Sequence, residues 1–339
     1  MIYVSLPVHT QPVVIASQLR NFARFFPEAT VVLHVSATAR FTIHALTEAL
    51  HAVPAKNFVI NPVRVPTGWG NILRAHLANI ACIRLRGDAT RICLHASNDM
   101  LVREGVAAWL DAGHNFCNRR LVRHGTFWRF GEAALADDCL TRLRRRLGPV
   151  DVIASQIEGS SYEAPLMFEI ADIIDAEPLT PPVLPYPREE VWFSTLAHAL
   201  HAKIDGKPYI FSELHRFDRV YWQFMRRINL FVGCRSRHSA FIGRLMEYAL
   251  IKTGFHRIDR TWVDRVASDD VRRLTPYQTL DDGNNVWLIF DRHGLFGVKR
   301  VPRRAGATVR RYIDALGEAL PPNLCAQQLR HLPAHGLSS

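Results

Sequence analysis

Thr30-Val31-Val32-Leu33-His34-Val35-Ser36 is the stretch of sequence from which the fold of this chain can be worked out. Apolar, mostly β-branched residues run to Val35 and give way to polar Ser36, a pattern typical of a buried strand. Similar short runs lie at residues 2–6, 58–60 and 91–95. Segments with helical spacing separate these runs, at residues 13–26, 43–50 and 73–85. The alternation predicts βαβ units and an α/β fold, with a mostly parallel sheet flanked by helices.

Polar residues follow two of these strands at the edge of the sheet where ligands of parallel sheets collect. Ser36 follows the second strand, and His95-Ala96-Ser97-Asn98-Asp99 follows the fourth. A glycine-containing turn, Thr67-Gly68-Trp69-Gly70-Asn71, opens the helix predicted at residues 73–85. We therefore expect ligand contacts near the two segments that follow strands.

The pattern weakens beyond about residue 113. Five prolines between residues 178 and 187 predict an extended loop. Further helices are predicted at residues 140–147, 189–200 and 309–320, and further strands at 285–290 and 295–298. Because no linker interrupts these segments, we expect a single domain over residues 1–320 and a loosely ordered tail over 321–339.

Composition and charge narrow the class of protein. Of 339 residues, 48% are hydrophobic and 22% charged, which excludes disordered and fibrous classes. No apolar run approaches the roughly 20 residues of a membrane-spanning helix. The 42 Lys and Arg against 31 Asp and Glu give a net charge of +11, which favours anionic partners such as nucleic acid, a phosphorylated ligand or an acidic membrane surface. The four arginines at positions 142, 144, 145 and 146 fit either a solvated helix face or contact with anionic lipid head groups.

Several common sites are missing from the sequence. The six cysteines form no C-x-x-C pair, which excludes zinc ribbons and dithiol redox motifs. Dinucleotide, P-loop, zinc-protease and serine-hydrolase signatures are also missing. His198 and His201 lie one helical turn apart, a spacing more often found in surface pairs than in metal ligands. The N-terminal residues read as a core strand rather than a signal peptide, so we expect a cytoplasmic protein.

Seven segments stand in an informative order along the chain. They are residues 32–36, 67–70, 75–80, 94–102, 159–162, 186–196 and 295–299. In this order and spacing they resemble the motifs of the core-2/I-branching β-1,6-N-acetylglucosaminyltransferase family, including its bacterial relatives. The resemblance covers about residues 1–300.

The resemblance implies a GT-A-like fold and an inverting, metal-independent glycosyltransferase. Such an enzyme moves a sugar from a nucleotide sugar to a hydroxyl of a glycan or glycolipid, here in bacterial surface polysaccharide synthesis. It needs no cofactor besides the donor substrate. The nucleotide-binding half would comprise about residues 1–110 and the acceptor and catalytic half about 111–320. Location in the cytoplasm, with or without peripheral contact with the inner face of the membrane, is expected.

The resemblance also assigns candidate catalytic residues. Glu190 occupies the position of the general base, and Glu189 stands where the family has Asp. The alternative is that both are first-turn acids favoured by the helix dipole. Lys299 matches a phosphate-contacting lysine, and Arg300 with Arg272 or Arg273 are candidate partners for the departing diphosphate. The alternative for this segment is a solvated basic strand end.

The remaining candidates concern the donor. Ser36 stands where the family has an Asp that helps to hold the nucleoside, so the donor is left open, with a UDP-sugar among the options. Trp69 either packs on the sugar or nucleoside or plugs the structure. Asn98 and Asp99 lie where metal-dependent relatives carry an Asp pair; Asp99 either orients the donor or caps the next helix.

Two other function classes are compatible with parts of the sequence. A basic nucleic-acid- or polyanion-binding protein without catalysis would account for the net charge. Against nucleic acid, the aromatic residues Trp192, Phe193, Trp222 and Trp287 follow core patterns rather than alternating with arginine. A sugar-binding protein without turnover would keep the donor site alone.

Overall fold

A computed structural model describes residues 1–51, 53, 57–124, 128, 130–180, 183–212, 237–254, 257–269 and 294–319. Within these residues the strands are β1 (Ile2–Val8), β2 (Ala29–Val35), β3 (Phe58–Ile60), β4 (Arg91–Leu94), β5 (Met100–Leu101), β6 (Asn115–Phe116), β7 (Arg120–Val122), β8 (Val152–Ala154), β9 (Ser160–Glu163), β10 (Ile204–Gly206), β11 (Ile210–Phe211) and β12 (Gly297–Val298). The helices are α1 (Pro12–Phe25), α2 (Ile43–His51), α3 (Leu73–Arg84), α4 (Val106–Asp111), α5 (Gly131–Leu135), α6 (Asp138–Leu147), α7 (Ala164–Asp175), α8 (Glu189–Ala199), α9 (Arg237–Lys252), α10 (Arg260–Ala267) and α11 (Thr308–Ala319).

In the described part of the chain, the main sheet has seven strands in the order β10-β6-β9-β4-β1-β2-β3. β1 pairs in parallel with β2 and β4, β2 pairs in parallel with β3, and β10 pairs in parallel with β6. β9 is antiparallel to both of its neighbours, β4 and β6. The prediction of an α/β fold with a mostly parallel sheet flanked by helices is therefore confirmed.

Both faces of the central strands β1, β2 and β4 are buried, and alternate residues of these strands belong to different clusters. Tyr3 of β1 and Val32 of β2 pack into a cluster with residues of α3, α7 and α8. Their neighbours Val4 and Val31 pack on the opposite face, against α1 and α2. Strands buried on both faces read as continuous apolar runs, which explains why the sequence pattern at residues 30–35 was clear.

Among the described residues, two smaller sheets lie around the carboxyl end of β4. β12 pairs in parallel with β11 and antiparallel with β5, and β7 pairs antiparallel with β8. α8 is fastened to β8 because Thr195 Oγ1 accepts from Ile153 N at 3.0 Å and donates to Ile153 O at 3.0 Å. The short strands thus bring the second half of the chain to the edge where β1 and β4 end.

Most elements predicted in the first hundred residues are confirmed to within about two residues at either end. The helices predicted at 140–147, 189–200 and 309–320 correspond to α6, α8 and α11, and the run at 295–298 contains β12. The described residues between α7 and α8 include no helix or strand, in agreement with the predicted proline-rich loop. The strand predicted at 285–290 and the tail over 321–339 lie outside the described residues. The domain division stays a prediction.

Two features of the described residues concern the membrane. In the part of the chain that the structure describes, no helix combines the length and apolar character needed to cross a bilayer.

Two arginines of the basic run in α6 pair with buried Glu177, Arg146 through Nη1 at 2.8 Å and Arg142 through Nε at 3.8 Å. A third, Arg144, donates to the carbonyl of Val150 at 2.7 Å. These arginines therefore hold α6 against its neighbours.

Candidate functional site

A cavity of about 300 Å³ lies beyond the carboxyl end of β4. Its walls come from the segments that follow β4, β8 and β12, from the first turn of α8, and from α3 with the turn before it. The strand order reverses between β1 and β4, and open α/β sheets bind their ligands in the crevice at such a point. The cavity is therefore our candidate active site.

One wall of the cavity is aromatic. Trp69 and Phe130 have ring centroids 5.4 Å apart, and Trp128 meets Phe130 edge-on at 5.5 Å. The Arg120 guanidinium lies 5.8 Å from the Trp128 centroid. Trp69 is 57% exposed although it is a large apolar side chain. An exposed indole at a cavity mouth offers a flat surface on which a sugar or base can pack.

The turn that carries Trp69 is fixed from two sides. Ser36 Oγ accepts from the backbone N–H of Thr67 at 3.1 Å. Gly70 has φ +79°, and a Cβ at this position would lie 2.2 Å from the carbonyl oxygen of Leu184. Only glycine allows both this dihedral angle and this close approach. Ser36 thus acts on the cavity through the turn, and its own side chain is outside the cavity lining.

A second wall carries two carboxyl groups at the start of α8. Glu189 is buried and Glu190 is half-buried, and both line the cavity. Ser155 N donates to the carbonyl of Glu190 at 2.7 Å, which fixes the helix start against the end of β8. On the side away from the cavity, Arg188 Nε pairs with buried Asp137 at 3.1 Å. The first turn of α8 is therefore held rigidly.

The two carboxyl groups differ in their environment. Burial raises the pKa of Glu189 to about 8, opposed by a backbone hydrogen bond and increased by the nearby charges of Glu190 and Glu158, with Lys299 lowering it slightly. Its Oε2 atom has no hydrogen-bond partner among the described residues. Glu189 is consequently protonated for the most part at neutral pH.

The third wall is basic. Lys299 Nζ pairs with Glu158 Oε2 at 2.8 Å, and Arg300 and Arg303 line the same wall. The backbone N–H of Lys299 donates to the carbonyl of Phe211 at 2.8 Å, continuing the pairing of β12 with β11. Arg300 has φ +68°, a left-handed conformation that is rare for an arginine. Backbone strain of this kind is common where a side chain is directed into a binding site.

The cavity brings together six of the ten predicted site residues. These are Trp69, Asn98, Glu189, Glu190, Lys299 and Arg300. Ser36 and Asp99 are outside the lining. Arg272 and Arg273 lie outside the described residues.

Asp99 is buried beneath the cavity, where it organises the segment after β4. Its Oδ2 lies 2.9 Å from His95 Nδ1 and accepts from Ala96 N at 3.1 Å. Its Oδ1 accepts from Gln18 Nε2 at 3.0 Å. Because these contacts occupy both carboxylate oxygens, Asp99 affects the cavity by positioning the backbone that carries Asn98.

Sequence reasoning missed several residues of the lining. They are His76, Asn118, Arg120, Trp128, Phe130, Glu158 and Arg303. Most of them follow residue 113, where periodicity is weak, and only the path of the chain brings them together. In the part of the chain that the structure describes, no group of three or more His, Cys, Asp or Glu side chains is arranged to hold a metal ion.

Comparisons with known proteins identify no family for this chain. No family model matches the chain, and no curated protein matches it. Among solved structures, the crystal structure of S. aureus TarS overlaps 50% of this chain and 29% of its own, with 16% identity and a TM-score of 0.30. The matched region is thus less than a third of the length of TarS. A TM-score this low establishes no common fold, so the resemblance to the core-2/I-branching family stays a prediction from the sequence motifs.

Proposed function

We propose that the chain is an inverting, metal-independent glycosyltransferase with a GT-A-like fold. It would transfer a sugar from a nucleotide sugar to a hydroxyl of a glycan or glycolipid in bacterial surface polysaccharide synthesis. The observation that supports this most is the composition of one cavity: paired carboxyl groups on one wall, three cationic side chains on another and an exposed tryptophan at the mouth.

Glu190 is the proposed general base. In an inverting transfer the acceptor hydroxyl loses its proton to the base, its oxygen bonds to the anomeric carbon, and the bond from that carbon to the diphosphate oxygen breaks with its electron pair. The base must be ionised and must exchange protons with solvent. Half-buried Glu190 meets the second condition better than its buried neighbour, whose pKa of about 8 keeps it largely protonated.

The basic wall is suited to the leaving group. A departing nucleoside diphosphate gains negative charge, which fixed cationic side chains stabilise without a metal ion. Lys299, Arg300 and Arg303 provide such charges on one wall. Trp69 and Phe130 would hold the sugar or the base by packing on its faces.

A thermal-shift screen against nucleotide sugars, with and without EDTA, tests the donor class and metal independence together. One nucleotide sugar is expected to raise the melting temperature equally in both conditions. Glu190→Gln should keep this shift and lower the transfer rate at least about 100-fold, whereas Glu48→Gln, an exposed change on α2, should alter neither. Full turnover in the Glu190→Gln protein would remove Glu190 as the base.

The net charge of +11 supports one competing proposal, a polyanion-binding protein without catalysis. It predicts no shift with any nucleotide sugar and an affinity for oligonucleotides that falls steeply with salt. A sugar-binding protein without turnover would show the donor-induced shift and no transfer by the wild-type chain.

A further inference from the structure

His76 is a cavity residue to which neither the sequence motifs nor the proposed mechanism gives a role. It lies on α3, is fully buried and contributes to the cavity lining. Its Nδ1 atom lies 2.9 Å from Ser5 Oγ of β1. Its Nε2 atom has no hydrogen-bond partner among the described residues. The ring is therefore fastened to the sheet through one nitrogen, while the other is buried at the cavity lining without a protein partner among the described residues.

A chain of buried hydrogen bonds fixes the direction of each donor below His76. The backbone N–H of Val63 donates to Asn61 Oδ1 at 2.9 Å, so the amide nitrogen of Asn61 is the atom that donates to Asn79 Oδ1, at 3.0 Å. The nitrogen of Asn79 is fixed in turn. It donates to the carbonyl of Val32 at 2.9 Å and to Ser5 Oγ at 3.1 Å.

This series of hydrogen bonds determines which ring nitrogen of His76 carries the proton. Ser5 Oγ accepts from Asn79, and its single hydrogen has one acceptor within reach among the described residues, Nδ1 of His76. Nδ1 is therefore an acceptor, and a neutral imidazole with a bare Nδ1 carries its proton on Nε2. The ring is neutral because burial, together with the neighbouring His34 and His95, lowers the pKa of His76 to about 3.

We propose that His76 is a ligand-binding residue whose Nε2–H donates a hydrogen bond to an oxygen of the nucleotide-sugar donor. This inference rests on the proposed function. The donor is favoured over the acceptor because α3 and the segment after β4 line this part of the cavity, at the crevice where such sheets hold nucleotides. A neutral N–H group in a buried position suits a hydroxyl or carbonyl oxygen of the sugar or base. An N–H group that is buried without an acceptor lowers stability, and an oxygen of the bound nucleotide sugar would supply the missing acceptor.

The tautomer can be measured in the ligand-free full-length protein by ¹⁵N NMR of labelled histidine. We expect the proton of His76 on Nε2, with Nδ1 bare and no titration between pH 5.5 and 8. A proton on Nδ1, or titration near the usual pKa of histidine, would overturn the inference. This measurement needs no variant and no ligand, so its outcome is independent of the proposed function.

Binding provides the second test, with the nucleotide sugar that gives the largest shift in the thermal screen. His76→Leu removes the Nε2–H group and should raise the dissociation constant of the nucleotide sugar at least about tenfold, because a hydrogen bond in a buried site is lost. His76→Gln places an amide N–H near the position of Nε2 and should recover most of the affinity. Equal affinity for the wild-type and leucine proteins would contradict the assignment. A wild-type protein that binds no nucleotide sugar would instead contradict the proposed function.

Discussion

Glu189 and Glu190 are adjacent in sequence but occupy different environments. Successive residues of an α-helix point about 100° apart, so the first side chain turns into the buried interior of the cavity wall while the second stays half-exposed. Burial raises the pKa of Glu189 to about 8. The same helical turn therefore holds a largely protonated carboxyl group beside the proposed base.

Glu189→Gln should change how stability depends on pH. In the wild-type protein the folded state binds a proton that the unfolded state has already released between about pH 4.5 and 8. Because the folded state binds more protons at this site, the contribution of Glu189 to the free energy of unfolding falls as pH rises, by up to about 5 kcal/mol above pH 8. The glutamine variant lacks this dependence, so it should gain stability over the wild-type protein at pH 8 and differ little at pH 5. Denaturant unfolding at both pH values measures the difference.

Glu48→Gln, on the exposed face of α2, is the matched control and should leave the pH profile unchanged. A stability difference between the wild-type and Glu189→Gln proteins that stays the same from pH 5 to pH 8 would contradict the raised pKa.

Sequence alone could identify some of these side chains and not others. Glu190 and Lys299 stand within ordered motifs, so their candidacy required no coordinates. His76 lies within the segment 75–80, but the motif assigns no role to that position, and a histidine on an apolar helix face looks like any core residue. The tautomer proposed for it depends on Ser5 of β1, on Asn79 of α3 and on Asn61, which follows β3.

At the level of elements, the turn before α3 sets the position of Trp69. Gly70→Ala should lower stability by about 1–3 kcal/mol, because alanine resists positive φ and its Cβ would overlap the carbonyl of Leu184. It should also weaken donor binding by displacing the indole. Gly68→Ala is the control, since its Cβ meets nothing within 4 Å. Chemical denaturation and nucleotide-sugar titration of both variants test this, and equal losses would rule out the explanation.

The start of α8 depends on a buried ion pair. Asp137→Ala removes the counter-charge of Arg188, whose side chain is only 3% exposed, and should lower stability by about 3–5 kcal/mol. The exposed pair Arg84–Asp172, with side chains 40% and 63% exposed, provides the control. Asp172→Ala should cost at most about 1 kcal/mol. Similar losses from the two variants would mean that burial of the Asp137 pair adds nothing.

The elements that sequence predicted poorly share a physical cause. β9 (Ser160–Glu163) is polar at three of its four positions and has little intrinsic strand character. It is a strand because it pairs with both β4 and β6 in the middle of the sheet. By contrast, β1 to β4 carry their own apolar patterns. Local pattern therefore predicted the first half of the sheet, whereas tertiary pairing determines the second.

Across the whole molecule, α11 closes the structure onto its N-terminal half. Buried Arg310 donates through Nη1 to Ser17 Oγ at 3.0 Å, and Arg24 Nε donates to the carbonyl of Gly317 at 3.0 Å. Ile313 is fully buried in a cluster with Val263 and Val298. The last described helix is therefore part of the core.

Removal of α11 should consequently destabilise the whole chain. A protein ending at residue 304 is expected to lose at least about 3 kcal/mol of unfolding free energy, because Ile313 and its neighbours no longer bury apolar surface. A protein ending at residue 319 should keep the stability of the full chain, as the predicted loose tail implies. Urea unfolding of the three lengths tests this, and equal stability of the shortest chain would contradict it.

The basic wall of the cavity is completed late during synthesis of the chain. Lys299 and Arg300 follow a two-residue strand whose partners, β11 and β5, are made much earlier. On the ribosome, Trp69, Phe130 and both glutamates are therefore synthesised well before Lys299 and Arg300. If the proposed function is right, a polypeptide that stops before residue 299 should bind a nucleotide sugar more weakly than one in which β12 has formed and Lys299 and Arg300 are in place.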